Sequence, residues 1–131
     1  MKAAIWTAYG PPETIELREV PTPEPKPGEV RIRIEATTVT AGYVEMRALR
    51  FPWYLRLPIR LYIGWRRPKR LTILGQEYSG TIDKLGDGVT KFKMGDKVYA
   101  SGEMPRLGGH AEYVVVPAAP KMGMLEKSRK C

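Results

Sequence analysis

Between Glu29 and Thr37, apolar and polar residues alternate without a break. Val30, Ile32, Ile34 and Ala36 fall on one side of an extended chain, and Glu29, Arg31, Arg33, Glu35 and Thr37 on the other. A period of two held over nine residues marks a strand with one buried and one wet face, and no helix reproduces it. Such a strand needs neighbours, and most of the remaining sequence reads as short extended segments cut by glycine and proline. Residues 2–7 and 14–20 predict a hairpin across Gly10-Pro11-Pro12. Residues 78–85, 98–100 and 111–116 supply further strands, with turns at Gly86-Asp87-Gly88 and Gly95-Asp96 and an inward pair at Val89 and Phe92. The run Val114-Val115-Val116 reads as buried on both faces. Pro21, Pro23, Pro25 and Pro27 each remove a backbone donor, so this stretch is expected to be a stiff surface connector outside the sheet; its spacing is never Pro-x-x-Pro. Helix is scarce. Residues 42–50 are predicted helical and end at Phe51-Pro52, and a further turn or two over 53–64 is expected to be broken by Pro58. Many short strands with such punctuation predict a mainly β sandwich or barrel.

Residue counts exclude several chemistries. One histidine, His110, and one cysteine, Cys131, cannot assemble a tetrahedral zinc site within one molecule. A lone cysteine also forbids an intrachain disulfide, which fits a reducing compartment and makes the cytoplasm the expected localisation. A Ser-His-Asp triad would have to use His110, and no Gly-x-Ser-x-Gly elbow accompanies it. No run approaches the apolar length of a membrane span, and the first apolar stretch stops at Gly10-Pro11-Pro12, too early for a signal-peptide core. At 131 residues and 43% hydrophobic, the chain has enough material for one domain with its own core.

Charge is concentrated. The formal net charge is +8, and between Met46 and Arg70 stand eight basic residues and no acid, so the rest of the chain is neutral overall. Phe51, Trp53, Tyr54, Tyr62 and Trp65 are interleaved with these cations. Cations among aromatics serve nucleic-acid grooves and membrane-surface helices. The simpler expectation is a partly helical excursion whose apolar residues dock on the body of the domain while its arginines form an anion-attracting cleft wall.

Four motifs bring a family into view. Gly75-Gln76-Glu77-Tyr78-Ser79-Gly80-Thr81-Ile82 is followed by Leu85-Gly86-Asp87-Gly88-Val89, then by Phe92-Lys93-Met94-Gly95-Asp96-Lys97-Val98 and Gly109-His110-Ala111-Glu112-Tyr113-Val114. In order and spacing these resemble the N-terminal half of the medium-chain dehydrogenases and reductases, as do Met1-Lys2-Ala3-Ala4 and Pro27-Gly28-Glu29-Val30. The resemblance covers residues 1–120 and implies a GroES-like partly open β-barrel with one or two short helices as the substrate-side domain, leaving 121–131 as a C-terminal tail.

Zinc enzymes of that family carry a cysteine before the first helix, a Gly-His-Glu at the present Gly75-Gln76-Glu77, and a four-cysteine lobe near 102–109. Here Thr40 stands at the cysteine position and Gln76 at the histidine, and Glu103-Met104-Pro105-Arg106-Leu107 replaces the lobe. Every zinc ligand but Glu77 is missing. The resemblance therefore implies the zinc-independent, quinone-oxidoreductase-like branch, in which NADPH delivers hydride to a quinone or enone and the protein supplies a dry cleft and an oxyanion donor. The branch's usual Asn-Pro-x-Asp is replaced by Thr40-Ala41-Gly42-Tyr43. Thr40 is a candidate to reach the nicotinamide ribose, or else a helix cap; Tyr43 is a candidate catalytic phenol, or else a packing residue. Since the insertion after the first helix borders the family's substrate entrance, Arg47, Trp53, Tyr54 and Tyr62 become candidate cleft residues together with Glu77. His110 is expected at a surface or strand edge.

No Gly-x-Gly-x-x-Gly fingerprint opens a helix anywhere, since Gly86-x-Gly88 lacks the third glycine. The Rossmann cofactor domain is thus expected to be absent from these residues. The chain alone is expected to hold NADPH weakly and turn over nothing without a nucleotide-binding domain, on the same chain or another. A homodimer through open strand edges is a further expectation. The alternative reading is a stand-alone binding module that uses residues 46–70 on nucleic acid or an anionic membrane. No RNP, helix-turn-helix or finger motif supports it, so these are the disfavoured partners.

Overall fold

The computed structural model describes residues 1–39, 48, 52–65, 68, 72–102, 107–119 and 124–128. Two antiparallel sheets form the body. Strands β1 (Lys2–Trp6) and β2 (Ile15–Glu19) make a hairpin, joined through a 3₁₀ turn at Pro12–Thr14. Strands β3 (Glu29–Thr37), β4 (Glu77–Leu85), β5 (Lys97–Ser101), β6 (Tyr113–Pro117) and β7 (Met124–Lys127) form a five-stranded sheet in the order β6-β3-β4-β5-β7. The hairpin closes against this sheet through backbone bonds from Ala4 to His110, Glu112 to Lys2, and Trp6 to Thr72. The result is the mainly β, GroES-like partly open barrel expected from the sequence.

Alternation in β3 holds over its first half and fades toward its end, where Ile34 is half-buried and Ala36, expected on the buried face, is exposed beside the cleft. Val30 and Ile32 are buried with Tyr78, Ile82, Phe92, Val98, Val114, Val116 and Leu125 in the principal core, with Val89 and Ile34 packed against it. Register shifts at Arg31/Ile32 and Ile34/Ala36 bend β3 against β4, as bulges do. On the wet face, the Arg31 guanidinium forks onto Asp83 (Nε–Oδ1 2.9 Å, Nη2–Oδ2 3.1 Å), meets Glu24 at 3.2 Å, and lies 5.2 Å from the Tyr113 ring centre. The fork joins β3 to β4, and the Glu24 contact ties the proline connector to the sheet.

Three sequence expectations need correction. The run Val114-Val115-Val116 is not buried on both faces: among the described residues β6 is an edge strand paired with β3 alone, and Val115 is half-buried between two buried valines. Pro117 can therefore close β6 without breaking a ladder. Residues 124–127, placed in a tail, form β7; the strand pairs with β5, and its Leu125 enters the core. Finally, Pro58 does not break the helix. Helix α1 (Trp53–Ile63) runs eleven residues through it. Its second core contact explains this: Ile63 packs with Trp6 and Leu74, flanked by Ile59, Tyr9, Ile15 and Leu107. The Tyr9 hydroxyl donates to the Gly64 carbonyl at 2.7 Å and fastens the helix end. The carbonyl that Pro58 deprives of its helical donor is that of Tyr54, an exposed residue. The predicted helix over 42–50 lies outside the described residues except at Ala48.

Two tests follow from the core. A Cβ on Gly80 would stand 2.0 Å from the Arg33 carbonyl oxygen, so Gly80→Ala must push β3 from β4 at a cost of about 3 kcal/mol. Gly88→Ala, at φ +80 with open space around it, should cost only about 1 kcal/mol. Urea midpoints at constant slope check both. The second test concerns Tyr78, whose hydroxyl is buried with no hydrogen-bond partner among the described residues. Burial pushes its phenol well above the ordinary value, so the fold prefers it neutral. Its contribution is complete below the unfolded value of about 10 and is lost as pH rises beyond that toward the raised folded value. Tyr78→Phe should therefore leave stability unchanged or raise it by about 1 kcal/mol at neutral pH. It should also flatten the alkaline decline relative to the parent; identical declines would refute the assignment.

Candidate functional site

The turn carrying Gln76 and Glu77 is held from three directions. Gly75 has φ +104, and a Cβ there would lie 2.5 Å from the His110 nitrogen and 2.6 Å from Gly109 Cα, so only glycine fits. The Gly75 carbonyl accepts from Gly109 at 2.9 Å and Gly108 at 3.3 Å, and the Leu74 carbonyl from His110 at 2.8 Å. From the second side, the Gly102 amide donates to the Gln76 carbonyl at 2.7 Å. From the third, Thr37 Oγ1 and the Thr38 amide reach the Glu77 carbonyl at 2.9 and 3.3 Å. His110 Nε2 then donates to the Thr38 carbonyl at 2.8 Å, bridging the end of β3 to the Gly-Gly strap. Gln76 and Glu77 themselves stay exposed on this fixed backbone.

Beside the turn lies a cleft of about 320 Å³, lined among others by Ala36, Thr38, Glu77, Tyr99, Ser101 and Met124. Its lining combines apolar surface from Ala36, Tyr99 and Met124 with the hydroxyls of Thr38 and Ser101 and the Glu77 carboxylate, a mixture able to hold an apolar molecule by a few polar contacts. A second cleft of about 460 Å³ opens between the first loop and α1, lined by Tyr9, Gly10, Ala48, Trp53, Arg56, Leu57 and Arg60. There the Arg60 guanidinium lies 5.2 Å from the Tyr9 ring centre. Burial raises the Tyr9 phenol, and Arg60 partly offsets it.

The candidate residues are thus dispersed. Glu77 borders the first cleft and Trp53 the second, and the two clefts share no lining residue. Tyr54 and Tyr62 project from α1 and line neither cleft; Trp53 stacks edge-on to Tyr54 at 5.9 Å. Thr40, Tyr43 and Arg47 lie outside the described residues. Tyr9 and the His110 bridge were missed as site elements from the sequence, and the only available signal for the latter was a lone histidine directly after two glycines. Among the described residues no three His, Cys, Asp or Glu side chains converge on a metal-sized space. With His110 engaged to Thr38 and Gln76 an amide, this donor set does not fit a zinc ion.

Residues 26–124 match the alcohol dehydrogenase GroES-like domain. The chain belongs to this family. GroES-like domains of this kind form the N-terminal part of medium-chain dehydrogenases and reductases, and the similar proteins agree. An alcohol dehydrogenase of Rhizobium meliloti is 39% identical over 98 residues, covering 75% of this chain and 24% of its own length. A quinone oxidoreductase of Pseudomonas aeruginosa is 33% identical over 116 residues, covering 88% of this chain and 30% of its own. The structure of a quinone oxidoreductase from Pseudomonas syringae superposes with a TM-score of 0.71 at 27% identity, over 98% of this chain and 33% of that one. This GroES-like domain therefore spans less than a third of either curated relative's length.

The clamp is testable within the domain. His110→Ala removes the Nε2 bond to Thr38, worth about 1 kcal/mol. The Thr38 amide should then exchange its hydrogen several-fold faster, while amides of β5 and β7 remain as in the parent. Unchanged exchange at Thr38 would mean the histidine does not hold the turn.

Proposed function

We propose that this domain is the substrate-side wall of a zinc-independent oxidoreductase that reduces a quinone or enone with hydride from NADPH. The observation that supports it most directly is the rigid Gly75-Gln76-Glu77 turn beside an apolar cleft, with an amide where zinc-holding relatives carry histidine. When bound, NADPH supplies the hydride, and the protein need not carry the redox chemistry. Its own task is electrostatic and steric. Hydride arrival at the electrophilic carbon leaves negative charge on the substrate oxygen, and a donor placed there lowers the barrier. Tyr43 is the proposed donor and Thr40 the proposed contact to the cofactor's ribose. The apolar cleft walls keep water from competing with the substrate oxygen for that donor. The nucleotide itself is proposed to be held by a separate nucleotide-binding domain, on the same polypeptide or another, and the chain alone to be inactive.

The test joins or co-expresses these residues with a Rossmann nucleotide domain and follows NADPH oxidation with a quinone and an enone. Activity insensitive to metal chelators is expected, and Tyr43→Phe should lower kcat by about a hundredfold with little change in KM. A well-folded complex that oxidises no NADPH, or one that a chelator silences, would defeat the proposal.

A further inference from the structure

Trp53, Arg56, Leu57 and Arg60 stand at positions i, i+3, i+4 and i+7 of α1, so they share one side of the helix, and together they line the cleft of about 460 Å³ opposite Tyr9 and Gly10. Two guanidinium groups, an indole and a leucine thus border one space, and no acid is among its lining residues. This corrects the expectation that the segment's apolar residues dock on the body of the domain. Of the helix, Ile59 and Ile63 do so, whereas Trp53, Tyr54, Leu57, Leu61 and Tyr62 are exposed. The inner wall of the cleft is fixed. The Tyr9 hydroxyl is bonded to the Gly64 carbonyl, and its ring meets Trp6 edge-on at 5.3 Å. Arg60 lies over that ring at 5.2 Å, with Nη1 3.4 Å from the Trp65 carbonyl. Arg60 is half-buried, and among the described residues no carboxylate reaches it. Residues 46–70 contain no acid that could.

We propose that this cleft is a binding site for a small aromatic oxyanion, an arylcarboxylate or an aryl phosphate. Each part of the lining answers one feature of such a molecule. A guanidinium carries paired N–H donors whose spacing matches two oxygens of a carboxylate or a phosphate, and a half-buried arginine that meets no carboxylate gains most from acquiring one. Trp53 and Tyr9 contribute aromatic surface, and Leu57 and Ala48 aliphatic surface, which a bare inorganic anion leaves unused. A neutral aromatic molecule would use those surfaces but cover two cations without answering their charge. The volume falls within the range of small-molecule sites and admits one ring-bearing molecule. This site shares no lining residue with the cleft at Glu77, so it stands whether or not that cleft reduces a quinone.

The experiment titrates the 131-residue chain, without nucleotide, with benzoate, phenyl phosphate, benzyl alcohol and inorganic phosphate, followed by calorimetry and two-dimensional NMR. Benzoate or phenyl phosphate should bind at least about tenfold tighter than benzyl alcohol, which lacks the charge, and than inorganic phosphate, which lacks the ring. The tighter of the two anions identifies the head group as carboxylate or phosphate. Resonance shifts should fall on the Gly10 amide, the Trp53 indole and the Arg56 and Arg60 Nε–H groups, and leave Thr38 and Ser101 in the other cleft unmoved. Arg60→Gln should weaken binding about tenfold, with Arg60→Lys, which keeps the charge but not the fork, between it and the parent. Because Arg60 also packs on Tyr9, Arg56→Gln at the exposed rim is the second variant, expected to weaken binding several-fold at the parent's urea midpoint. No measurable binding, benzyl alcohol or inorganic phosphate binding as tightly as both aromatic anions, shifts at Thr38 and Ser101 in place of the Tyr9 cleft, or both glutamine variants binding like the parent would each overturn the proposal.

Discussion

Strand β3 is bonded along both edges, to β4 on one side and β6 on the other, and every other part of the barrel is placed relative to it. The bond to β4 depends on contact too close for a side chain, with the Arg33 carbonyl seated against Gly80. Two bulges then bend the ladder, and the bend brings the far end of β3 to the turn that precedes β4. At that end Thr37 Oγ1 and the Thr38 amide donate to the Glu77 carbonyl. The site geometry is thus a consequence of backbone packing in the core.

The region around Glu77 separates rigidity from chemistry. Backbone groups of Leu74, Gly75, Gln76 and Glu77 are all used in holding the turn, while the Gln76 and Glu77 side chains remain exposed. Family members that hold zinc need such a fixed platform for a metal ligand. Here the platform persists with an amide in that place. The rigidity of the turn comes from these backbone bonds alone and so does not depend on the exposed side chains it carries.

How much of this was legible depended on which residues carry local information. Alternation in β3 revealed strand, face and core at once, because period two needs no tertiary context. The Gly-Asp turns and the pairing of Val89 with Phe92 were equally local. Pro58 misled because its cost is local while the compensation, burial of Ile63 against Trp6 and Leu74, joins residues far apart in sequence. Three consecutive valines misled in the other direction: hydrophobicity alone does not say whether a strand has one neighbour or two. Strand β7 was invisible because only Leu125 of its four residues is buried, too little for a period to show. In the site, the motif order pointed to the Gly75–Glu77 turn, but the His110 bridge to Thr38 spans seventy-two residues and left no pattern to read.

The apolar interior is divided in two. Trp6, Ile63 and Leu74 form a cluster of their own, apart from the larger one inside the five-stranded sheet, and the β1–β2 hairpin and α1 both rest on it. Two clusters joined mainly by backbone bonds need not melt together. The smaller one gives the hairpin and the helix a shared apolar anchorage distinct from that of the larger sheet.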